Sequence, residues 1–175
     1  CMTGNNLDDH LRHGVVIENT YGSVVSGNMI EECNGIGIIL DRDCYGITLS
    51  SNVIAHEVMG GIELRDAHGC AVSANTFTIV KKNALRIGPK SGRITVTGNN
   101  FSNSYVGDGD QKRQKVDSDA SGIVLEGTSD IAITGNSFSG LTTKALAIEG
   151  EAPKRVLFTN NLLTEVASDH GKLDP

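Results

Sequence analysis

Tryptophan is absent from these 175 residues, and there are only three tyrosines and four phenylalanines. Aromatic platforms of the kind that line many sugar-binding clefts can therefore be few, and Tyr105, at the root of a long loop, is the one candidate. No apolar run approaches the length that spans a bilayer, which excludes a transmembrane helix. No segment keeps a 3.6-residue apolar period for a useful distance, which argues against helices altogether. Positive charge is also short: 15 Lys and Arg stand against 21 Asp and Glu, and the net charge of -6 leaves no basic patch for nucleic acid. The four cysteines, Cys1, Cys33, Cys44 and Cys70, have neither C-x-x-C spacing nor the density of a disulfide framework. Cys70 falls where aliphatics stand in other repeats and reads as a small core residue. Cys33 and Cys44 read as loop thiols, with a disulfide between them left open. The start of the chain shows no signal peptide.

What the chain has instead is a repeat. Asparagine recurs at Asn5, Asn28, Asn52, Asn75, Asn99, Asn136 and Asn160, at intervals of 23, 24, 23, 24, 37 and 24 residues. Two places after each stands a large apolar residue: Leu7, Ile30, Ile54, Phe77, Phe101, Phe138, Leu162. Three places before each stands Met or an aliphatic: Met2, Val25, Leu49, Val72, Val96, Ile133, Leu157. Between them lies a second signature, as in Gly37-Ile-Ile-Leu40, Gly61-Ile-Glu-Leu64 and Gly122-Ile-Val-Leu125. Its alternation is that of a strand with one buried face. A self-similar unit of about two dozen residues, with three short strands and glycine- or asparagine-bearing corners, describes one rung of a solenoid. Rungs stack ~4.8 Å apart, and about seven are expected, all-β, as a single unit over residues 1–175. The asparagines are expected to form a vertical amide ladder at one corner, a structural role.

The segments Ser26-Gly-Asn-Met-Ile30, Thr97-Gly-Asn-Asn-Phe101 and Thr134-Gly-Asn-Ser-Phe138, with the Gly-Ile-x-Leu strands between them, resemble the right-handed parallel β-helix families. The likeness is to the pectate-lyase-like superfamily in particular, and it covers essentially the whole chain. It implies a secreted or periplasmic protein that meets a polysaccharide or oligosaccharide across the Gly-Ile-x-Leu face, as a lyase, hydrolase or epimerase. Two rivals stand beside it. One is a non-catalytic carbohydrate-binding rod. The other is a structural or accessory module, like the periplasmic β-helix proteins of metal-enzyme maturation. Fold alone does not choose among them.

The outward positions of that face form two columns in the sequence: Val16, Ile39, Glu63, Arg86, Val124, Ala147, and Glu18, Asp41, Arg65, Gly88, Glu126, Glu149. Charge concentrates in the middle rungs, so Asp41, Glu63, Arg65, His68 and Arg86 are the catalytic candidates, with Asp66 beside them as a substrate contact. A lyase needs a cation to neutralise a uronate carboxylate and a base for the adjacent proton; Arg65, Arg86 and His68 are of the right type. A glycosidase needs two carboxylates ~5 to 9.5 Å apart, and Asp41 with Glu63 would suit. Neither the Asp-Pro-His pattern of alginate epimerases nor the full polygalacturonase set is present. The 37-residue interval marks a loop insertion at 103–121. Repeat proteins gather such insertions on the binding face. Its Asp108, Asp110, Lys112 and Arg113, with Tyr105, are expected to contact substrate; its carboxylates make Ca²⁺ a possible ligand. No resident metal or cofactor is otherwise expected. His10 and His13 read as an excursion from the rod. Both chain ends fall mid-rung, so a section of a longer protein is expected.

Overall fold

In the computed structural model, which describes residues 1–57, 59–103 and 120–167, the strands run parallel in three sheets wound about one core. The Gly-Ile-x-Leu strands build the first sheet, of six strands from Val15–Glu18 to Leu146–Ile148. The strands that precede each ladder asparagine, such as Gly92–Thr97, build the second sheet of nine. Those that follow it, such as Asn100–Ser102, build the third of seven. The chain thus completes six turns and begins a seventh. The fold is a parallel β-helix, as the repeat requires. No described residue is helical.

Period-two alternation places every second side chain of a strand in the rod, and equal rungs align these side chains vertically. Ile38, Ile62, Leu85 and Ile123 stack in the first sheet, with Val15 below and Leu146 above. Leu49, Val72 and Val96 stack in the second and Ile54, Phe77, Phe101 and Phe138 in the third. All are buried. The glycine that opens the first-sheet signature has a steric cause at Gly61, where an added Cβ would lie 2.5 Å from the Ala84 carbonyl oxygen.

The asparagine ladder is continuous. Asn52 Nδ2 donates to Asn75 Oδ1, Asn75 Nδ2 to Asn99 Oδ1 and Asn99 Nδ2 to Asn136 Oδ1, at 2.9–3.0 Å. Each Oδ1 also accepts the backbone N–H of the asparagine below. A second Nδ2 bond reaches a carbonyl, as from Asn75 to Leu49. Buried amides are tolerable only when satisfied in this way.

Four expectations need correction. The seventh ladder residue is Asn161, not Asn160: Asn136 Nδ2 donates to Asn161 Oδ1 at 3.0 Å. Asn160 instead occupies the left-handed corner at φ 54°, the place Gly27, Gly98 and Gly135 fill elsewhere. Its neighbours shift with it, so Leu163 and Phe158 pair with the core residues Phe138 and Ile133, while Leu162 and Leu157 are exposed. The cause is a longer corner. First-sheet partners Leu125 and Ile148 are 23 apart, but second-sheet partners Ser129 and Lys154 are 25 apart. An Asn-Asn pair hides that slip from a spacing count. Accordingly, Asn161→Ala is expected to lower the midpoint of chemical unfolding more than Asn160→Gly, which suits a positive φ and should change it little. Equal losses in urea titrations would contradict the assignment.

Cys33 keeps its expected loop position, whereas Cys44 lies on the short strand Cys44–Tyr45. Both are free and wholly buried in the core with Cys70. Since they are free, the disulfide left open between Cys33 and Cys44 is not formed. Nor do His10 and His13 leave the rod. Asn34 N donates to His10 O and Gly35 N to Arg12 O, while His13 Nδ1 accepts the Ile36 N–H at 3.0 Å. That segment is an ordinary corner of its rung.

Candidate functional site

The first sheet presents its outward columns in the expected register: Glu63 pairs with Ile39 below and Arg86 above, and Arg86 with Val124. The face is not a flat wall. Ile39 and Val124 point away from the core, yet they are only 1% and 6% exposed. Two adjoining hollows lie on this face. One, of about 220 Å³, is lined by Ile36, Met59, Ile62, Asn83, Glu63 and Arg86. The other, of about 290 Å³, is lined by Lys82, Asn83, Val124, Thr143, Lys144 and Glu149, among others. Asn83 belongs to both and joins them. Apolar walls with a few convergent polar groups are the usual makings of a small-molecule site.

Charged side chains on the face are tied to one another. Arg65 donates to Glu63 at 2.9 Å and stands 3.8 Å from Asp41. The Glu63 bond, then the Asp41 charge, hold its guanidinium above its ordinary pKa against partial burial. Arg86 donates to Glu149 at 2.7 Å and also to Glu126. These two carboxylates raise its pKa in the same way. Arg42 and Glu18 lie 3.3 Å apart one rung lower. Each central arginine therefore carries two carboxylates. Such pairs add little stability where water reaches them, but they fix side-chain direction.

Of the expected residues, Asp41, Glu63 and Arg65 form one cluster, and Glu63 and Arg86 share one hollow. Asp66 and His68 line neither hollow. The chain turns after Leu64, and His68 lies on the Ala67–His68 strand of the second sheet, half exposed, beside Tyr45 and 3.9 Å from Asp66. Tyr105, Asp108, Asp110, Lys112 and Arg113 lie outside the described residues. The flanks of that insertion are described. Asn103 N donates to Ser139 O, Ala120 N to Thr142 Oγ1 and Ser121 Oγ to Val80 O. Ala120 thus stands next to the rung whose Thr143 and Lys144 border the second hollow.

Residue spacing did not single out Asn83, Met59 or Lys82. They sit at the corner before a first-sheet strand, and only the turn geometry brings them over the face. Among the described residues, one trio of possible metal ligands converges: Asp8, Asp9 and Glu32, all exposed, with oxygens within 4.8 Å of one another. Nothing further marks these carboxylates as a site.

A family model described as "Periplasmic copper-binding protein (NosD)" matches residues 1–116. Two solved structures, the periplasmic alginate epimerase AlgG and a double mutant of it, each superpose on 93% of this chain with a TM-score of 0.70 at 16% identity. The chain spans 39% of the length of either. At that identity the likeness is one of fold. No curated protein matches the sequence.

Proposed function

Because this chain belongs to the NosD family of β-helix proteins, we propose that it works in the periplasm, where the first-sheet face binds an oligosaccharide. The observation that carries the reading is the pair of hollows joined at Asn83, with buried Val124 in one and Glu63 and Arg86 in the other. Ile36 and Met59 suit the C–H face of a sugar ring. Asn83, Glu63 and Arg86 offer donors and acceptors for its hydroxyls. Tyr105, Asp108, Asp110, Lys112 and Arg113 of the insertion at 103–121 are proposed as further contacts, because its described flank Ala120 adjoins the rung that borders the second hollow.

A catalytic reading has a specific observation in its favour: Glu63 and Arg86 share one hollow, with Asp41 and Arg65 adjoining. Elimination next to a uronate would require Arg65 or Arg86 to exchange its present carboxylates for that of the substrate. Binding asks for no such exchange, and it is the reading we adopt.

The family description names copper, and the donors described here do not fit it. Copper favours thiolate, thioether and imidazole ligands. The Cys33 and Cys70 thiols are raised above their ordinary pKa by burial, Cys33 to about 12. The Cys33, Cys44 and Cys70 sulfurs all donate to backbone carbonyls instead. The converging trio is made of carboxylates, hard donors suited to Ca²⁺ or Mg²⁺.

The test is calorimetric titration with a panel of uronate and neutral oligosaccharides, with parallel assays of ultraviolet unsaturation and reducing ends. At least one glycan is expected to bind, and Asn83→Ala to weaken it about tenfold, ~1.4 kcal/mol. Binding without new unsaturation or reducing ends supports the adopted reading. Failure of every glycan to bind the folded protein would end it.

A further inference from the structure

A buried acid stands at the corner that forms one wall of the first hollow. Five places after Asn5, Asn28, Asn52, Asn75 and Asn136 come His10, Cys33, Glu57, Val80 and Leu141. Cys33, Val80 and Leu141 belong to the apolar core. Glu57 occupies the same inward position with 0% exposure, and among the described residues neither carboxyl oxygen has a hydrogen-bond partner. An ionised carboxylate without a partner cannot remain in such a place at acceptable cost. Among the described residues, no cation supplies one. Lys81 and Lys82, in the next rung, are exposed, and His56 is directed to Glu32 at 3.5 Å. The remaining titratable groups around it, Cys33 and Glu31 in the rung below, add no positive charge, and both Glu31 and Glu32 would repel an anion.

The same corner is hydrogen-bonded to the hollow. Met59 N donates to Gly35 O, Gly61 N to Asn83 O, and Lys81 N to Glu57 O, at 2.9–3.1 Å. Met59, Gly60 and Asn83 line the hollow. We propose that Glu57 is a pH-sensitive latch: neutral, it locks this corner into the rod and shapes the hollow; ionised, it leaves the interior and moves Met59, Gly60 and Asn83 with it. The inference deepens the oligosaccharide reading by adding regulation to its site, but the latch itself does not depend on what the hollow binds.

Burial drives the Glu57 carboxyl from 4.5 up to about 8, and the nearby polar groups of Cys33, which do not reach hydrogen-bond geometry, oppose that rise less strongly. The unfolded chain releases this proton near the ordinary carboxyl value and the folded chain near 8. Its contribution to stability is therefore whole at acid pH. It declines between those two values, about tenfold in the unfolding constant per pH unit, and is lost once the folded carboxyl ionises.

The experiment follows the full chain by amide hydrogen exchange and by ¹³C NMR of labelled glutamate carboxyls, from mildly acid to alkaline pH. Variants Glu57→Val, which copies the next rung, and Glu57→Gln run alongside. Expected is one glutamate carboxyl that titrates near 8 and disappears in both variants. Protection of the Met59, Gly61 and Lys81 amides should fall through the same range in the parent only. If every glutamate titrates in the ordinary carboxyl range, or if protection falls equally in Glu57→Val, the proposal is overturned. Should Glu57→Gln not fold, because its amide is equally unpartnered, Glu57→Val decides the matter. Loss of corner protection without binding of any glycan would retain the latch and remove only the oligosaccharide reading.

Discussion

Asn75→Ala is expected to lower the melting temperature by on the order of 10 °C. Asn75 Oδ1 accepts from Asn52 N and Nδ2, and Asn75 Nδ2 donates to Leu49 O and Asn99 Oδ1, four bonds of 3.0 Å in a residue 1% exposed. Alanine removes one partner from each. Buried groups left unsatisfied cost about 1–3 kcal/mol apiece, and with some relaxation a total of roughly 3–6 kcal/mol is reasonable. In a chain of this size ~1 kcal/mol shifts the melting temperature by about 2–4 °C. Position matters as well as bond count. A rung contacts only its neighbours, so a fault in the middle uncouples the two halves, whereas one at the end frays only the end. Asn5→Ala is the control. Asn5 is exposed and its side chain reaches only Thr3 O and Asn28 Oδ1. Calorimetry that found equal losses for the two variants would show that the ladder is not a buried, cooperative column.

Phe101→Ala is expected to cost about 3–5 kcal/mol and to broaden thermal unfolding. Phe101 is 0% exposed, and its ring is stacked between those of Phe77 at 4.6 Å and Phe138 at 4.8 Å. Truncation leaves a void between two rings held in place by the strands on either side, which can close it only in part. The lost ring–ring attraction adds to the lost burial. Phe101→Leu retains most of the volume and, by that argument, should recover more than half of the stability. Differential scanning calorimetry of the three proteins gives the comparison. If Phe101→Ala melts with the parent, the third-sheet stack is not part of the cooperative core.

The sequence made the rod legible because in a solenoid every rung repeats one set of constraints. Val72, Asn75 and Phe77 specify the same in-and-out pattern as Val96, Asn99 and Phe101, so a period can be read where no single strand could be trusted. The reading failed where two residues met one requirement. Asn160 and Asn161 both fit the interval, and a longer corner at residues 149–153 decides between them. For Cys33 it stopped at a loop position and a free thiol, since nothing in a corner sequence says whether a side chain points in or out.

The site was legible only as columns. Register on the first sheet follows from the repeat, so Asp41, Glu63, Arg65 and Arg86 could be placed side by side from residue numbers alone. Their partnerships could not. Arg86 reaches past Val124 to Glu126 and Glu149 rather than to Glu63, a choice made by side-chain reach and competing carboxylates. His68 shares their stretch of sequence but lies beyond a corner, on another sheet.

By itself, then, the order of residues determined the solenoid, its three-strand rung, the amide column and the vertical neighbours on each face, because these follow from a period repeated along the chain. Only the tertiary structure decided that Ile39 is covered, that Asn83 and Met59 border the hollow on the outward face, and that the Glu57 carboxyl is sealed in the core with no hydrogen-bond partner among the described residues. Those facts depend on how corners from successive rungs pack against each other, and corner geometry is where the repeat leaves the sequence free to vary.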